Sequence, residues 1–102
     1  MTRRVVVTGL GLVTPLGGST ASTWENMLAG RSGIGPIKRF DVKDIPVNIG
    51  GFVPEGEEKD ALNADLYMPA AEQRRVDHFI VYGVCAASQA IEDSGWSPQS
   101  DE

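Results

Sequence analysis

The sequence is short of the residues that most chemistry needs. Its 102 residues include one cysteine, Cys85, and one histidine, His78. A lone thiol excludes a disulfide within the chain, and one thiol with one imidazole cannot build a Cys/His zinc cage. A reducing, cytoplasmic setting follows as an expectation. Basic residues are also scarce, nine Lys and Arg against fourteen Asp and Glu, for a formal charge of −5. Nucleic-acid binding draws most of its affinity from a basic face, so no nucleic-acid partner is expected. Long apolar runs are absent too. Nothing approaches the roughly 20 residues that span a bilayer, so no membrane partner is expected either.

Arg3 and Arg4 ahead of the apolar stretch from Val5 to Val13 imitate a secretion signal. Thr8, Gly9 and Gly11 interrupt the run, Pro15 follows it, and three consecutive valines favour a strand over a signal helix. The remaining composition, 41% apolar and 23% charged, is that of a folded globular chain. A chain of this length removes roughly 65% of its extended surface from water on folding, which permits one complete domain without requiring it.

Val5-Val6-Val7 has no polar alternation and reads as a strand covered on both faces, as in a largely parallel sheet. Gly9 and Gly11 end it, and Gly17-Gly18-Ser19-Thr20 makes a turn. Ser22 stands three residues before Glu25, the spacing of a capping box, so a short first helix is expected from near Ser22. Its apolar positions are Trp24, Met27 and Leu28, and Gly30 is placed for a left-handed C-terminal cap. From Ser32 to Pro46 no period is sustained, which predicts a connection anchored by Ile34, Ile37 and Phe40. A second strand is expected within Val47 to Val53, weakened by Gly50 and Gly51.

Pro54 to Asp65 is acidic and reads as a solvated loop. Beyond Pro69, Val76, Ile80, Val84, Ala87 and Ile91 recur every three or four residues and predict one apolar face of a long helix, capped by Gly95. The stretch from Trp96 to Glu102 is polar after its first residue and adds no β run. One interior strand cannot make a sheet, so the chain is expected to be a fragment whose missing part holds the partners of Val5 to Val7.

Three groups invite chemical readings. Gly9-Leu10-Gly11 after a valine strand suggests a dinucleotide-binding turn. Thr14 stands where the third glycine belongs, however, and Pro15 follows it, so a structural tight turn is the better reading. Cys85 lies among Val84, Ala86 and Ala87, where a thiol behaves as a small hydrophobe. His78 is seven residues away, about 10 Å along a helix axis at 1.5 Å per residue, too far for a direct hydrogen bond. Arg74 and Arg75 fall in the first turns of the predicted long helix, where the dipole disfavours cations. Two readings stand for them, a local cationic patch for an acidic partner and simple pairing with Glu72 and Asp77.

Taken in order, Arg4-Val5-Val6-Val7-Thr8-Gly9-Leu10-Gly11 with Thr14-Pro15-Leu16-Gly17 resembles the opening of type II elongating β-ketoacyl-acyl-carrier-protein synthases. Ser22-Thr23-Trp24, Leu28-Ala29-Gly30, Ser32-Gly33-Ile34, Phe40-Asp41, Glu72-Gln73-Arg74-Arg75-Val76-Asp77 and Asp93-Ser94-Gly95 look like later pieces of the same segment. The resemblance implies an α/β fold of thiolase-like αβαβα layers, with residues 1–102 as the amino-terminal segment of the first half. It also implies a cytoplasmic homodimer that condenses acyl and malonyl groups delivered on acyl carrier protein, through a cysteine thioester and two histidines.

None of that machinery matches this chain, so no catalytic residue, metal or cofactor is expected in it. What carries over is docking of the acidic carrier protein at Arg74 and Arg75. Ala71 stands where some relatives have a lysine, which leaves the patch weaker or completed elsewhere. A nucleotide-binding module and a polyketide ketosynthase segment are the alternatives.

Overall fold

The computed structural model describes residues 2–99. In chain order the elements are α1 (Thr20–Leu28), β1 (Ile34–Pro36), β2 (Ile49–Gly51), a 3-10 turn (Ala64–Leu66), α2 (Ala70–Gln73) and α3 (His78–Ser94). The two strands pair antiparallel, with Ile34 opposite Gly51 and Pro36 opposite Ile49. The expected second strand is therefore present. Its partner lies in what the periodicity leaves as a connection, because a three-residue strand is too short to show a period.

Val5 to Val7 does not form a strand. The three valines are 93%, 69% and 79% exposed. A strand exists only through its ladder, and among the described residues none offers this run a backbone partner.

Helix α1 starts earlier than the Ser22–Glu25 spacing predicts. Ser19 is the N-cap, and Ser19 and Ser22 form the reciprocal box, each side chain bonded to the other's backbone N–H. Serine substitutes for the usual Glu at the third position because its hydroxyl reaches the cap amide at 3.2 Å. The buried face is also inverted. Ser22, Thr23 and Asn26 are buried, while Trp24, Met27 and Leu28 are 58%, 53% and 68% exposed. Gly30, at φ 73°, and Gly95, at φ 69°, take the left-handed conformation expected where the helices end.

The long helix predicted beyond Pro69 is two helices. Residues 74–77 leave helical geometry, and Asp77 becomes the N-cap of α3 with an extended ψ of 158°. The break lets Val76 pack against the buried cluster of Leu62, Met68, Val81 and Cys85. That cluster uses a face one residue on from the predicted stripe. Val84 touches it, but Ile80 is 38% and Ile91 49% exposed. From Phe79 to Ala87 α3 is apolar nearly all round, so periodicity alone cannot say which side is covered. The acidic loop has a solvated tip at Glu57, Glu58 and Lys59, but its closing residue Leu62 is 2% exposed and sits in the core.

Candidate functional site

The part of the chain that best repays chemical inspection is the seam where residues 9–18 lie across α3. A side chain at Gly9 would collide with the Ala90 carbonyl and the Ser94 backbone, and one at Gly11 with the Ala86 carbonyl. Ala86, Ala90 and Ser94 are spaced four apart and form a small-residue track on which the two glycines rest. The N–H of Leu10 donates to Asp93 Oδ2 at 2.9 Å, and that of Leu12 to Gln89 Oε1 at 3.4 Å. Gln89 Nε2 then donates to the Gly18 carbonyl at 2.8 Å, so one side chain ties α3 to two stretches of loop.

This geometry corrects two expectations. Gly9 and Gly11 do not make a tight turn, for residues 9–13 form no turn and the first one falls at Pro15 and Leu16. Their open face does not await a pyrophosphate either, because the α3 backbone already fills it. The dinucleotide pattern therefore has no room to act.

The buried polar face of α1 completes the same seam. Thr14 and Thr23 hydroxyls meet at 2.8 Å, and Asn26 Nδ2 donates to the Leu16 carbonyl at 2.7 Å and to Asp60 Oδ2 at 3.3 Å. Among the described residues no buried side-chain nitrogen or oxygen lacks a partner. A small protein can bury such groups only when each is satisfied, so this network fixes the course of residues 14–18 rather than presenting reactive atoms.

Cys85 is fully buried, and burial pushes its thiol up. A thiol held protonated among Leu62, Met68 and Val81 is a poor nucleophile, which agrees with reading it as a small hydrophobe. His78 is exposed and lies against Tyr82, ring centroids 5.9 Å apart. No hydrogen bond joins it to Cys85. Among the described residues no group of three or more His, Cys, Asp and Glu could hold a metal ion, and no helix is long and apolar enough to cross a membrane.

Arg74 and Arg75 are exposed, and among the described residues neither forms an ion pair with Glu72 or Asp77. Their helical position differs from the predicted one. Arg74 is the C-cap of the one-turn α2, and Arg75 stands two residues ahead of Asp77, the N-cap of α3, so both lie between helices and not within the long one.

Sequence reasoning missed a third cluster. Arg39 donates to the Val53 carbonyl at 3.2 Å and to the Tyr82 hydroxyl at 3.3 Å, and lies 4.7 Å over the Phe52 ring. Tyr82 in turn donates to Glu55 Oε1 at 2.7 Å. Burial raises the Tyr82 phenol, partly offset by the Arg39 hydrogen bond. The cluster binds the segment after β2 to α3. Its members are 43 residues apart at the extreme, too far for any local pattern to announce them.

Comparison with known proteins agrees with the resemblance. The family model described as Beta-ketoacyl synthase, N-terminal domain, matches residues 2–102. The chain is 46% identical over 101 residues to the 3-oxoacyl-[acyl-carrier-protein] synthase 2 of Rhizobium meliloti (strain 1021), covering 98% of this chain and 24% of that protein. It is 44% identical over 92 residues to the synthase 2 of Synechocystis sp. (strain ATCC 27184 / PCC 6803 / Kazusa), covering 90% of this chain and 21% of that one. The chain thus spans about a quarter or less of the curated relatives it matches. Among solved structures, the ishigamide ketosynthase/chain length factor superposes with a TM-score of 0.76 at 30% identity, over 93% of this chain and 22% of that one. The fold is accordingly α/β and thiolase-like, as the resemblance implies. With a family model covering all but the first residue, the chain belongs to the β-ketoacyl synthase family, in its amino-terminal domain.

Proposed function

We propose that this chain is the opening segment of a 3-oxoacyl-[acyl-carrier-protein] synthase of fatty-acid elongation, and that it contributes scaffold and docking surface while the reacting groups lie elsewhere in the enzyme. In the parent reaction a cysteine thiolate takes an acyl group from its carrier. Malonyl-carrier protein then loses carbon dioxide, and the resulting enolate attacks the acyl thioester, forming the new carbon–carbon bond as the carbon–sulfur bond breaks and the cysteine thiolate leaves. Residues 1–102 make the first part of the first thiolase-like half of a cytoplasmic homodimer. Support comes from the names and identities of the relatives, and from the buried, protonated state of the only thiol described here.

Acyl carrier protein is the partner, and Arg74 and Arg75 are its docking residues. The observation that carries this assignment is that both guanidiniums are exposed and, among the described residues, unpaired, in a chain of net charge −5. Unpaired cations at a surface are free to meet an acidic helix, and such contacts chiefly raise the on-rate and weaken with salt.

Titration of carrier protein into the chain at low salt tests it. Replacing both arginines with alanine is expected to weaken binding about tenfold or more, with the loss shrinking as salt rises. Unchanged affinity removes the docking role. The chain alone is expected to neither decarboxylate malonyl-carrier protein nor condense it, and turnover that depended on Cys85 would overturn the placement of the chemistry. A polyketide-type ketosynthase segment is the second reading, favoured by the likeness to a ketosynthase/chain length factor, but at 30% identity against 46% for the fatty-acid type.

A further inference from the structure

Charges of opposite sign stand unpaired at the elbow between α2 and α3. Among the described residues Arg74 and Arg75 are exposed with no carboxylate in an ion pair, and Asp65 is exposed with no cation in one. Asp65 and the elbow border one cavity of about 260 Å³, lined by Glu55, Asp65, Gln73, Val76 and His78 among others. Glu55, the other carboxylate there, is already engaged: the Tyr82 hydroxyl donates to it at 2.7 Å and Arg39 lies 3.7 Å away. Asp65 is held by an uncharged group instead. Gln73 Nε2 donates to Asp65 Oδ1 at 2.8 Å and to the Met68 carbonyl at 2.8 Å, so both hydrogens of its amide are used. Gln73 immediately precedes Arg74, about 3.8 Å away from Cα to Cα, and an arginine side chain is longer than a glutamine side chain. A carboxylate within hydrogen-bond range of residue 73 is therefore within the sweep of the arginine that follows.

We propose that Gln73 is a positioning residue for carrier docking, which occupies Asp65 with a neutral donor and so leaves the guanidiniums of Arg74 and Arg75 free for an acidic partner. An arginine meets a carboxylate through a two-pronged, charge-assisted contact that is stronger than one amide hydrogen bond. Left bare, Asp65 takes a guanidinium and neutralises it where the partner has to meet it. Gln73 prevents this because it is fixed beforehand. Its amide is already tied to the Met68 carbonyl, so holding Asp65 as well costs it little further rotamer freedom, whereas an arginine loses much in settling on one pose. A neutral side chain also leaves the positive charge of the elbow undiminished. The inference rests on the proposed docking role of the two arginines for its consequence, but the exchange of partners at Asp65 is a property of the chain without carrier protein.

The bond between Gln73 and Asp65 can be broken from either end, and the two breaks should act oppositely. Q73M keeps the bulk of the side chain and removes both donors, while D65A removes the carboxylate. In the free chain, arginine side-chain NMR should show the Nε–H of Arg74 or Arg75 exchanging more slowly with water in Q73M, and at the wild-type rate again in Q73M/D65A. In titration with carrier protein at low salt, Q73M should bind about threefold more weakly, the worth of one exposed ion pair, with the loss fading as salt rises. D65A and the double variant should bind at least as tightly as the wild type. Three results overturn the proposal: no slowed arginine in Q73M, equal weakening by Q73M and D65A, which would make the bond a brace for α2, or a slowed arginine with undiminished binding in a chain whose affinity still falls on R74A/R75A. A slowed arginine in Q73M, with carrier affinity indifferent to every variant including R74A/R75A, would leave the shielding of Asp65 standing and refute the docking assignment instead.

Discussion

Alpha-1 and α3 bury opposite kinds of surface. Alpha-1 turns Ser22, Thr23 and Asn26 inward and leaves Trp24, Met27 and Leu28 outside, whereas α3 buries Val81 and Cys85. The difference follows from what each helix meets. Alpha-3 faces Leu62 and Met68, which are apolar, while α1 faces the backbone of residues 14–18, whose carbonyls and hydroxyls need partners. A loop with many polar backbone groups can be buried only against side chains that satisfy it. Hydrophobicity therefore does not decide by itself which side of a helix is inside. Its neighbour does.

The sharpest way to test that comparison is at the glycine seam. Gly11→Ala would drive a methyl into the Ala86 carbonyl, where backbone on both sides leaves nothing flexible to yield. The expected loss is about 3 kcal/mol or more of helix stability, read by urea denaturation followed at 222 nm. Gly83, by contrast, lies on the exposed side of α3 with nothing near its missing side chain. Gly83→Ala should stabilise by about 0.5–1 kcal/mol, because alanine restores helix propensity at no steric cost. Equal effects at the two sites would mean that the segment 9–12 does not rest on α3.

Next in size is the core residue of the acidic loop. Leu62→Ala should cost about 2–4 kcal/mol, since the side chain is 2% exposed and packs with Met68, Val81 and Cys85. Its flanks are small or polar, Asp60-Ala61 and Asn63-Ala64, and a loop with five acids reads as solvent from end to end. What draws Leu62 inward is non-local: its N–H donates to the Pro54 carbonyl at 2.6 Å, and Gly18 N–H to the Asp60 carbonyl at 3.0 Å. A substitution effect near zero would return the whole loop to solvent.

These cases explain what the sequence could disclose. The two glycine caps, the short first helix and the inert Cys85 depend on local geometry or on composition, and all are legible at Gly30, Gly95 and Val84-Cys85-Ala86. The valine run reads as an interior strand, but residues 5–7 form none, because a strand needs a ladder and no described residue supplies one. The face of α3 was not legible, because both candidate stripes are apolar and only contact with Leu62 selects Val81 and Cys85. For the arginines, residue type gave the candidate. The break at Val76 and Asp77, which takes them out of the long helix, required the fold.

Adjacent residues on α1 provide a smaller contrast. Trp24→Ala should leave the stability of the chain by itself within about 0.5 kcal/mol, since the indole is more than half exposed. Thr23→Val keeps the shape but strips Thr14 of its 2.8 Å hydroxyl partner, and should cost about 1–2 kcal/mol. A tryptophan that mattered as much in the free chain would mean that the apolar face of α1 already has an occupant.

The smallest effect expected is on alkaline stability. Burial raises the Cys85 thiol in the folded chain above its unfolded value. The unfolded state therefore loses the proton first as pH rises, and the folded state is progressively disfavoured. The contribution is fully present below the unfolded thiol value and is lost on going from there toward the raised folded one. Tyr82, also raised mainly by burial, acts with the same sign at higher pH. Cys85→Ala should flatten the lower part of this decline while costing some packing at neutral pH. It should also separate the two groups, because the Tyr82 limb would remain. A wild-type chain whose Cys85 reacted with a thiol reagent as fast as a free peptide thiol, without unfolding, would place that side chain at the surface and undo the buried face assigned to α3.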